Sequence, residues 1–114
     1  MNKEFNCPVE ATISLIGGKY KSVILFHLMG KTLRYSELHK KIPKATDKML
    51  AQQLRELEKD GLIKRTVYPV VPPKTEYNLT EFGESLSPIL NAMCNWGESY
   101  LNIPSPVSYT HLRA

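Results

Sequence analysis

The stretch TDKMLAQQLRELEKDG, residues 46–61, has the clearest helical pattern in this chain. Thr46 can cap the first turn, because its hydroxyl accepts hydrogen bonds from backbone amides that have no helical partner. Asp47 places a negative charge at the positive end of the helix dipole. Gly61 can adopt the left-handed backbone conformation that ends many helices. The sequence therefore predicts a helix over residues 46–60.

This helix has two faces of different chemistry. Leu50, Leu54 and Leu57 follow one another at spacings of four and three, which places them in one narrow apolar stripe. The opposite face carries donors and cations without a carboxylate, namely Lys48, Gln52, Arg55 and Lys59, with Gln53 and Met49 on its flank. A solvated face is one interpretation, and a face that contacts a polyanion is the other. The flanking segments favour the second.

A shorter helix is predicted just before it. Residues 35–42 carry Leu38 and Ile42 four apart on one face. Pro43 ends this helix, because proline disfavours the helical conformation in the residue before it. Only two residues then remain before the Thr46 cap. Two helices joined by so short a turn form a helix-turn-helix, whose second helix can enter the major groove of DNA.

A β-hairpin is predicted just after it. Residues 62–68 and residues 75–79 each alternate in the way of a strand. Residues 69–74, PVVPPK, cannot lie in a central strand, because their prolines lack the N–H donor. Leu33 and Arg34 are predicted to add a short edge strand. The hairpin is the wing of a winged helix, so the predicted fold is a mainly α winged helix-turn-helix with a small β-hairpin wing.

Two further helices are predicted before this unit. The first opens at Cys7 and Pro8, since proline is well accommodated in the first turn, and it ends at Gly17. The second, residues 19–29, is so rich in apolar residues that it must be buried on most sides. We interpret it as the central scaffold helix of the domain.

The last predicted helix follows Thr80 and extends to residue 101. A kink or break is expected near Leu86, because Pro88 interrupts the amide ladder. Its apolar residues cover more surface than one small core needs, and a second copy of the chain is the usual partner for such a surface. The residues predicted at this dimer interface are Ile89, Met93 and Trp96.

Basic residues are concentrated in the helix-turn-helix and the first wing strand. Between Lys31 and Arg65 there are ten Lys or Arg and five Asp or Glu, whereas the whole chain of 114 residues has 15 and 11. Such a local excess favours nucleic acid as the partner. A membrane partner is disfavoured, because no helix pairs a basic face with a wide exposed apolar face.

The N-terminus and the shortness of the apolar runs predict a cytoplasmic protein. Residues 1–6 are polar and do not resemble a signal peptide, and the longest apolar run is too short to span a bilayer. Cys7 and Cys94 are therefore expected to be reduced thiols. Residues 1–102 are predicted to form one domain. Residues 103–114, which lack periodicity, are expected to be a disordered tail, either native or a sequence scar.

The order and spacing of these segments resemble the HxlR-type winged helix-turn-helix regulators of bacteria and archaea, which are relatives of the MarR group. The matching pieces are CPVE from Cys7, LIGGKYK from Leu15, LRYSEL from Leu33, KMLAQQLRELEKDGLIKR from Lys48, PPKTEYNLT from Pro72 and WG at Trp96. Tyr20 stands where the family usually has Trp, and Thr75 where it usually has an aliphatic residue. The resemblance implies a homodimer built from the first and last helices. It also implies a cysteine sensor, at the position of Cys7, in several members.

The sequence contains no recognisable enzyme, metal or cofactor site. His27, in the scaffold helix, is interpreted as a satisfied structural histidine or a partly exposed edge residue, whereas His39 is expected to be solvated. No Cys-x-x-Cys or His-x-x-x-His spacing occurs, which disfavours a zinc site. A Gly-rich phosphate loop, a nucleophile-elbow serine and a catalytic carboxylate pair are also missing from the sequence. We therefore predict neither catalysis nor a cofactor.

Cys7 has two interpretations that the residues alone leave open. It is an incidental thiol near a chain terminus, or it is a sensor thiol, because a helix N-terminus favours the reactive thiolate. The family resemblance supports the second. Cys94, one position after Met93, is predicted to be a core or interface thiol.

We therefore predict a homodimeric, sequence-specific transcriptional repressor that binds double-stranded DNA at an inverted-repeat operator. The residues assigned to base edges or nearby phosphates are Lys48, Gln52, Gln53 and Arg55, in the recognition helix capped by Thr46. The residues assigned to phosphates are Lys44, Lys59, Lys64 and Lys74. A winged-helix module for protein–protein contact and a small thiol-based redox protein are the alternatives. A module for protein–protein contact should lack the cationic row on the recognition helix. A redox protein requires two exposed cysteines that lie close together.

Overall fold

The computed structural model describes residues 4–102, and the predicted tail lies outside this range. Helices and a small sheet alternate along the chain. Their bounds are α1 Pro8–Ile16, α2 Lys21–Leu28, β1 Leu33–Arg34, α3 Tyr35–Lys41, α4 Asp47–Lys59, β2 Ile63–Tyr68, β3 Lys74–Leu79, α5 Glu81–Glu84 and α6 Ser87–Leu101. This is the predicted winged helix-turn-helix: α3 and α4 form the helix-turn-helix, and β2 and β3 form the wing.

The three strands form one antiparallel sheet in the order β1-β3-β2. Tyr77 in the central strand lies opposite Leu33 on one side and Arg65 on the other. Tyr77 and the inward residues Ile63 and Leu79 are buried, whereas most of β2 is exposed. The predicted hairpin and the predicted edge strand at Leu33 and Arg34 are both confirmed.

The core lies between α2, α4 and the base of the sheet. Its fully or almost fully buried side chains are Ile24, Leu25 and Leu28 of α2, Leu38 of α3, Leu50, Leu54 and Leu57 of α4, and Leu62, Ile63 and Leu90. The apolar stripe of α4 is therefore buried, as its spacing predicts, and the structure shows that α4 packs against α2. The scaffold role of α2 is confirmed, although the helix begins two residues later than expected, at Lys21.

Both ends of α4 follow the local chemistry of the sequence. The Thr46 hydroxyl accepts from the backbone N–H of Met49 at 3.1 Å. At the other end Gly61 has a φ of +80°, which is a left-handed conformation that costs glycine little. The N–H of Leu62 then donates to the carbonyl of Leu57 at 3.0 Å. These bonds satisfy backbone groups that would otherwise lack partners, so the helix ends sharply before the wing.

The last helical segment is broken, as Pro88 predicts. A four-residue α5 ends at Glu84, and α6 begins at Ser87 with Pro88 in its first turn, where no N–H donor is required. Gly83 is required in α5, because a Cβ at this position would collide with the carbonyl oxygen of Leu62 at the base of the wing. Among residues 4–102, no helix has the length and apolar character needed to cross a membrane.

Candidate DNA-binding surface

A polar network ties α3 to the first turn of α4. The ring of His39 places Nε2 at 2.8 Å from the carbonyl oxygen of Ala45 and Nδ1 at 3.1 Å from Oδ1 of Asp47. The hydroxyl of Tyr35 donates to the same Asp47 oxygen at 2.8 Å. Burial, followed by the bond to Asp47, raises the pKa of Tyr35 to about 12, so this donor stays protonated. The network holds the turn and sets the angle of α4.

The expectation that His39 is solvated is wrong. Its side chain is 29% exposed, because the short turn brings the Ala45 carbonyl and the Asp47 carboxylate to the two ring nitrogens. The residue faces away from Leu38, as predicted from the helical spacing. However, the sequence spacing of α3 alone carries no information about what the following turn places against this face.

The outward face of α4 presents a row of long polar side chains. Lys48, Gln52, Arg55 and Lys59 are all exposed, and within residues 4–102 none of the three cations forms a salt bridge. Their charge is therefore available to an external anion. Lys44 in the turn and Lys64 at the start of the wing extend this basic surface, and they are equally exposed and unpaired in the described part of the chain.

Gln53 stands apart from this row. Its Oε1 accepts from the backbone N–H of Tyr20 at 3.2 Å, and the side chain is half-buried beside Gly18. Tyr20 immediately precedes α2, so this bond attaches the middle of α4 to the first turn of the scaffold helix. The structure thus gives Gln53 a partner inside the domain, whereas the sequence placed it among the residues that reach DNA.

Lys21 and Glu56 form an ion pair that the sequence did not reveal. Lys21 is buried in α2, and its Nζ lies 2.6 Å from Oε1 of Glu56 on α4. The other carboxylate oxygen of Glu56 accepts from Nε2 of Gln52 at 3.3 Å. The bond from Lys21 is the largest cause that holds the pKa of Glu56 below its usual value, followed by the bond from Gln52. Glu56 is therefore an anion at neutral pH, and its only sequence signal was the four-residue spacing from Gln52.

The wing carries cations that are partly engaged within the domain. Lys74 Nζ lies 3.5 Å from Oε2 of Glu76 and 4.7 Å from the centre of the Tyr68 ring. Arg65 Nε lies 3.4 Å from Oε1 of Glu58. Lys74 begins β3 rather than standing at the tip of the loop. Its ammonium group is consequently less available to a phosphate than those of Lys44 and Lys64.

An apolar surface lies on the side formed by α1 and α6. Val9 and Ile13 of α1 are 60% and 57% exposed, and Met93 of α6 is 47% exposed. These residues and Ile89 line a groove of 430 Å³ between the two helices. Trp96 lies further along α6 and stacks on Tyr100, with 5.6 Å between the ring centres. The three residues predicted at a dimer interface therefore share one exposed apolar surface.

The two cysteines are free thiols and differ in their exposure. Cys7 directly precedes α1 and is exposed, whereas Cys94 is half-buried on α6 in a groove shared with Val23 and Phe26 of α2. In residues 4–102 no group of three potential ligands could hold a metal ion.

Comparison with known proteins identifies the family of the chain. The sequence profile described as HxlR-like helix-turn-helix matches residues 15–104. Two relatives from Bacillus subtilis are described as uncharacterized HTH-type transcriptional regulators. YdeP is 54% identical over 94 residues, which cover 82% of this chain and 73% of YdeP. YtcD is 55% identical over 100 residues, which cover 88% of this chain and 79% of YtcD.

Solved structures agree with this assignment. The redox regulator HypR in its oxidized form superposes with a TM-score of 0.78 at 50% identity, covering 82% of this chain and 96% of HypR. The reduced form of the transcriptional regulator YodB from B. subtilis superposes with a TM-score of 0.71 at 33% identity, covering 89% of this chain and all of YodB. The resemblance noted from the sequence is confirmed, and the chain belongs to the HxlR-like helix-turn-helix family.

Proposed function

We propose that this protein is a sequence-specific transcriptional repressor that binds double-stranded DNA as a homodimer. The observation that carries the proposal is the outward row of α4, which presents unpaired cations and a carboxamide on the second helix of a helix-turn-helix. This helix enters the major groove in other helix-turn-helix proteins. Relatives at more than half identity are HTH-type transcriptional regulators, which agrees with this role. A regulator of this kind works on the chromosome, so we place it in the cytoplasm.

Different residues have different roles in this proposal. Gln52 and Arg55 read base edges, because carboxamide and guanidinium groups make two-pronged hydrogen bonds with adenine and guanine. Lys48 contacts a base edge or a nearby phosphate. The phosphate contacts come from Lys44, Lys59 and Lys64, with a smaller contribution from Lys74. Thr46 belongs to the surface as the cap that starts α4 at the groove, and Gln53 contributes from inside the domain by anchoring α4 to α2.

The apolar surface of α1 and α6 supports the homodimer. A single chain leaves Val9, Ile13 and Met93 about half or more exposed around one groove, and contact with a second copy would remove them from water. Two-fold symmetry then presents two copies of α4 to DNA. The operator is accordingly an inverted repeat, with half-sites about one helical turn apart, roughly 34 Å, or a multiple of it.

Regulation through Cys7 is the second part of the proposal. The Cys7 thiol is exposed and directly precedes α1, so an external oxidant can reach it. Two proteins that share the fold are relevant here. HypR is described as a redox regulator. YodB is described as a transcriptional regulator, and its structure was also solved after diamide treatment. Oxidation at Cys7 would move α1, which forms one wall of the groove between α1 and α6.

Selection of duplexes from a random library tests the proposed function. Full-length protein is mixed with random double-stranded DNA, and bound molecules are recovered and sequenced over several rounds. We expect enrichment of an inverted repeat with the half-site spacing given above. Recovery of sequences without any common motif would contradict specific binding, and a winged-helix module for protein–protein contact would then be the better interpretation.

A further inference from the structure

Three side chains form a relay from the core of the domain to the surface of the recognition helix. Buried Lys21 contacts one oxygen of the Glu56 carboxylate at 2.6 Å. The other oxygen of Glu56 accepts from the Gln52 carboxamide at 3.3 Å. Gln52 belongs to the outward row, whereas Lys21 lies on α2 under α4. The relay thus connects a base-reading candidate with the scaffold helix.

The relay has only one consistent order of donors and acceptors. The ammonium group of Lys21 can only donate, and the Glu56 carboxylate, an anion at neutral pH, can only accept. The Gln52 group that faces Glu56 must therefore be the amide nitrogen. Gln52 then keeps Oε1 and one N–H for an external partner, since within residues 4–102 no other hydrogen bond engages its carboxamide.

We propose that Glu56 is a specificity-positioning residue, which orients the Gln52 carboxamide so that the protein selects adenine at one position of each half-site. Adenine presents a donor, N6–H, and an acceptor, N7, in the major groove. These match Oε1 and the remaining N–H of Gln52. Guanine presents two acceptors, O6 and N7, and one of them would face Oε1 unfavourably. The inference rests on the proposed role of Gln52 as a residue that reads bases.

The substitution Glu56→Gln is the sharpest test, because it inverts the order of the relay. Lys21 still requires an acceptor, so the new side chain must turn its carbonyl oxygen inward and its amide nitrogen towards Gln52. Gln52 must then turn Oε1 towards this nitrogen and present its amide N–H groups to the groove. These two N–H donors match the two acceptors of guanine, O6 and N7. The substitution therefore shifts the preference from adenine towards guanine at this one position.

The experiment is selection from random duplexes, followed by sequencing, with the full-length wild type and variants. We expect Glu56→Gln to lower the ratio of adenine to guanine at the Gln52 position by about fivefold or more, the low end of what one base contact provides. Glu58→Gln is the matched control. It removes the same charge from the same helix, but Glu58 pairs with Arg65 and does not contact Gln52. Its base preferences should equal those of the wild type.

Gln52→Ala separates this inference from the proposed function. The alanine variant should flatten the preference at one position, which identifies the base that Gln52 contacts. If it does so and Glu56→Gln keeps the adenine preference, the relay is overturned while DNA reading by α4 stands. If Gln52→Ala flattens no position, Gln52 reads no base, and both the inference and that assignment fail.

Lys21→Met provides an independent measurement on the other end of the relay. The ammonium group holds Glu56 against the domain, and without it the carboxylate can turn to water and release Gln52. The adenine-to-guanine ratio should then fall as well. If the adenine-to-guanine ratio is unchanged in both Lys21→Met and Glu56→Gln, neither Lys21 nor Glu56 orients the Gln52 carboxamide, and the proposal is overturned.

Discussion

Single polar side chains of the recognition helix determine how that helix is held against its neighbours. Gln53 bonds to the backbone before α2, Glu56 pairs with Lys21 of α2, and Asp47 receives bonds from α3. Each contact joins α4 to a neighbouring helix by a polar group, beyond the apolar packing of its leucines. Polar contacts have directions, so they restrict rotation of α4 about its axis more than apolar packing does. The orientation of the outward row depends on this restriction.

His27 gives the domain a dependence of stability on pH. Burial, followed by the charges of Lys41 and Lys31, holds the pKa of His27 below its ordinary value of 6.5. The unfolded chain therefore binds a proton at His27 before the folded chain does. As the pH falls through 6.5 towards the folded value, protonation favours the unfolded state and stability decreases.

The substitution His27→Gln tests this dependence. Urea unfolding at about pH 7.5 and about pH 5.5 should show a smaller loss of stability for the variant than for the wild type, because glutamine does not titrate. The wild type itself is the reference, since all other titrating groups are common to both proteins. An equal loss in the two proteins would mean that His27 does not contribute.

Residues whose partners are adjacent in sequence were the ones that could be predicted. The cap by Thr46 and the turn at Gly61 depend on backbone groups within a few residues, and both predictions are confirmed. His39, Gln53 and Glu56 depend on partners that another element supplies. Helical spacing showed which way these side chains point on their own helix, but not what the fold places opposite them.

The helices and strands follow from periodicity and from proline, which are local properties. The stripe of leucines in α4, the alternation in the wing and the break before Pro88 all appear in the structure where they were predicted. The start of α2 is shifted to Lys21. Tyr20, with φ −127° and ψ −1°, is the non-helical residue that precedes the first turn, so Lys19 and Tyr20 lie outside α2 although the apolar density of the segment predicted them inside it.

The exposed face of α6 supports a prediction about oligomeric state. Met93→Asp would place a charge on the apolar surface between α1 and α6. Burying this charge in a dry interface would cost about 3–5 kcal/mol. Sedimentation velocity should therefore show monomer or unfolded protein. Asn91→Asp is the matched control, because it adds the same charge to an exposed position on another side of the same helix, and it should remain a dimer. A Met93→Asp dimer of wild-type affinity would place the interface elsewhere.

At the scale of the whole molecule, one continuous path joins α1 to the recognition helix α4. Helix α1 leads through Gly17 and Gly18 into α2, and α2 contacts the recognition helix through the bonds from Tyr20 and Lys21. In the proposed homodimer, a displacement of α1 would be transmitted to α4 along this path. An inverted-repeat operator has a fixed distance between its two half-sites. A change in the distance between the two α4 helices of a dimer would therefore prevent them from fitting both half-sites at once, and binding would weaken.

Oxidation of Cys7 should use this path. If the α1 helices of two subunits meet, diamide would join two Cys7 thiols in a disulfide and move both helices. Operator binding by the wild type should weaken after diamide treatment, binding by Cys7→Ser should not, and Cys94→Ser should behave like the wild type. An equal effect of diamide on the wild type and Cys7→Ser, or no effect on either, would exclude Cys7 as the sensor.

The outward row of α4 is proposed to read DNA sequence. Fluorescence anisotropy of the selected duplex and of a shuffled duplex, over a range of salt concentrations, tests it most directly. Gln52→Ala and Arg55→Ala should each cost about 1–3 kcal/mol on the selected duplex and little on the shuffled one. Lys64→Ala, the control on the phosphates, should weaken both about equally and reduce the salt dependence. If Gln52→Ala and Arg55→Ala leave affinity and preference unchanged, the account is contradicted.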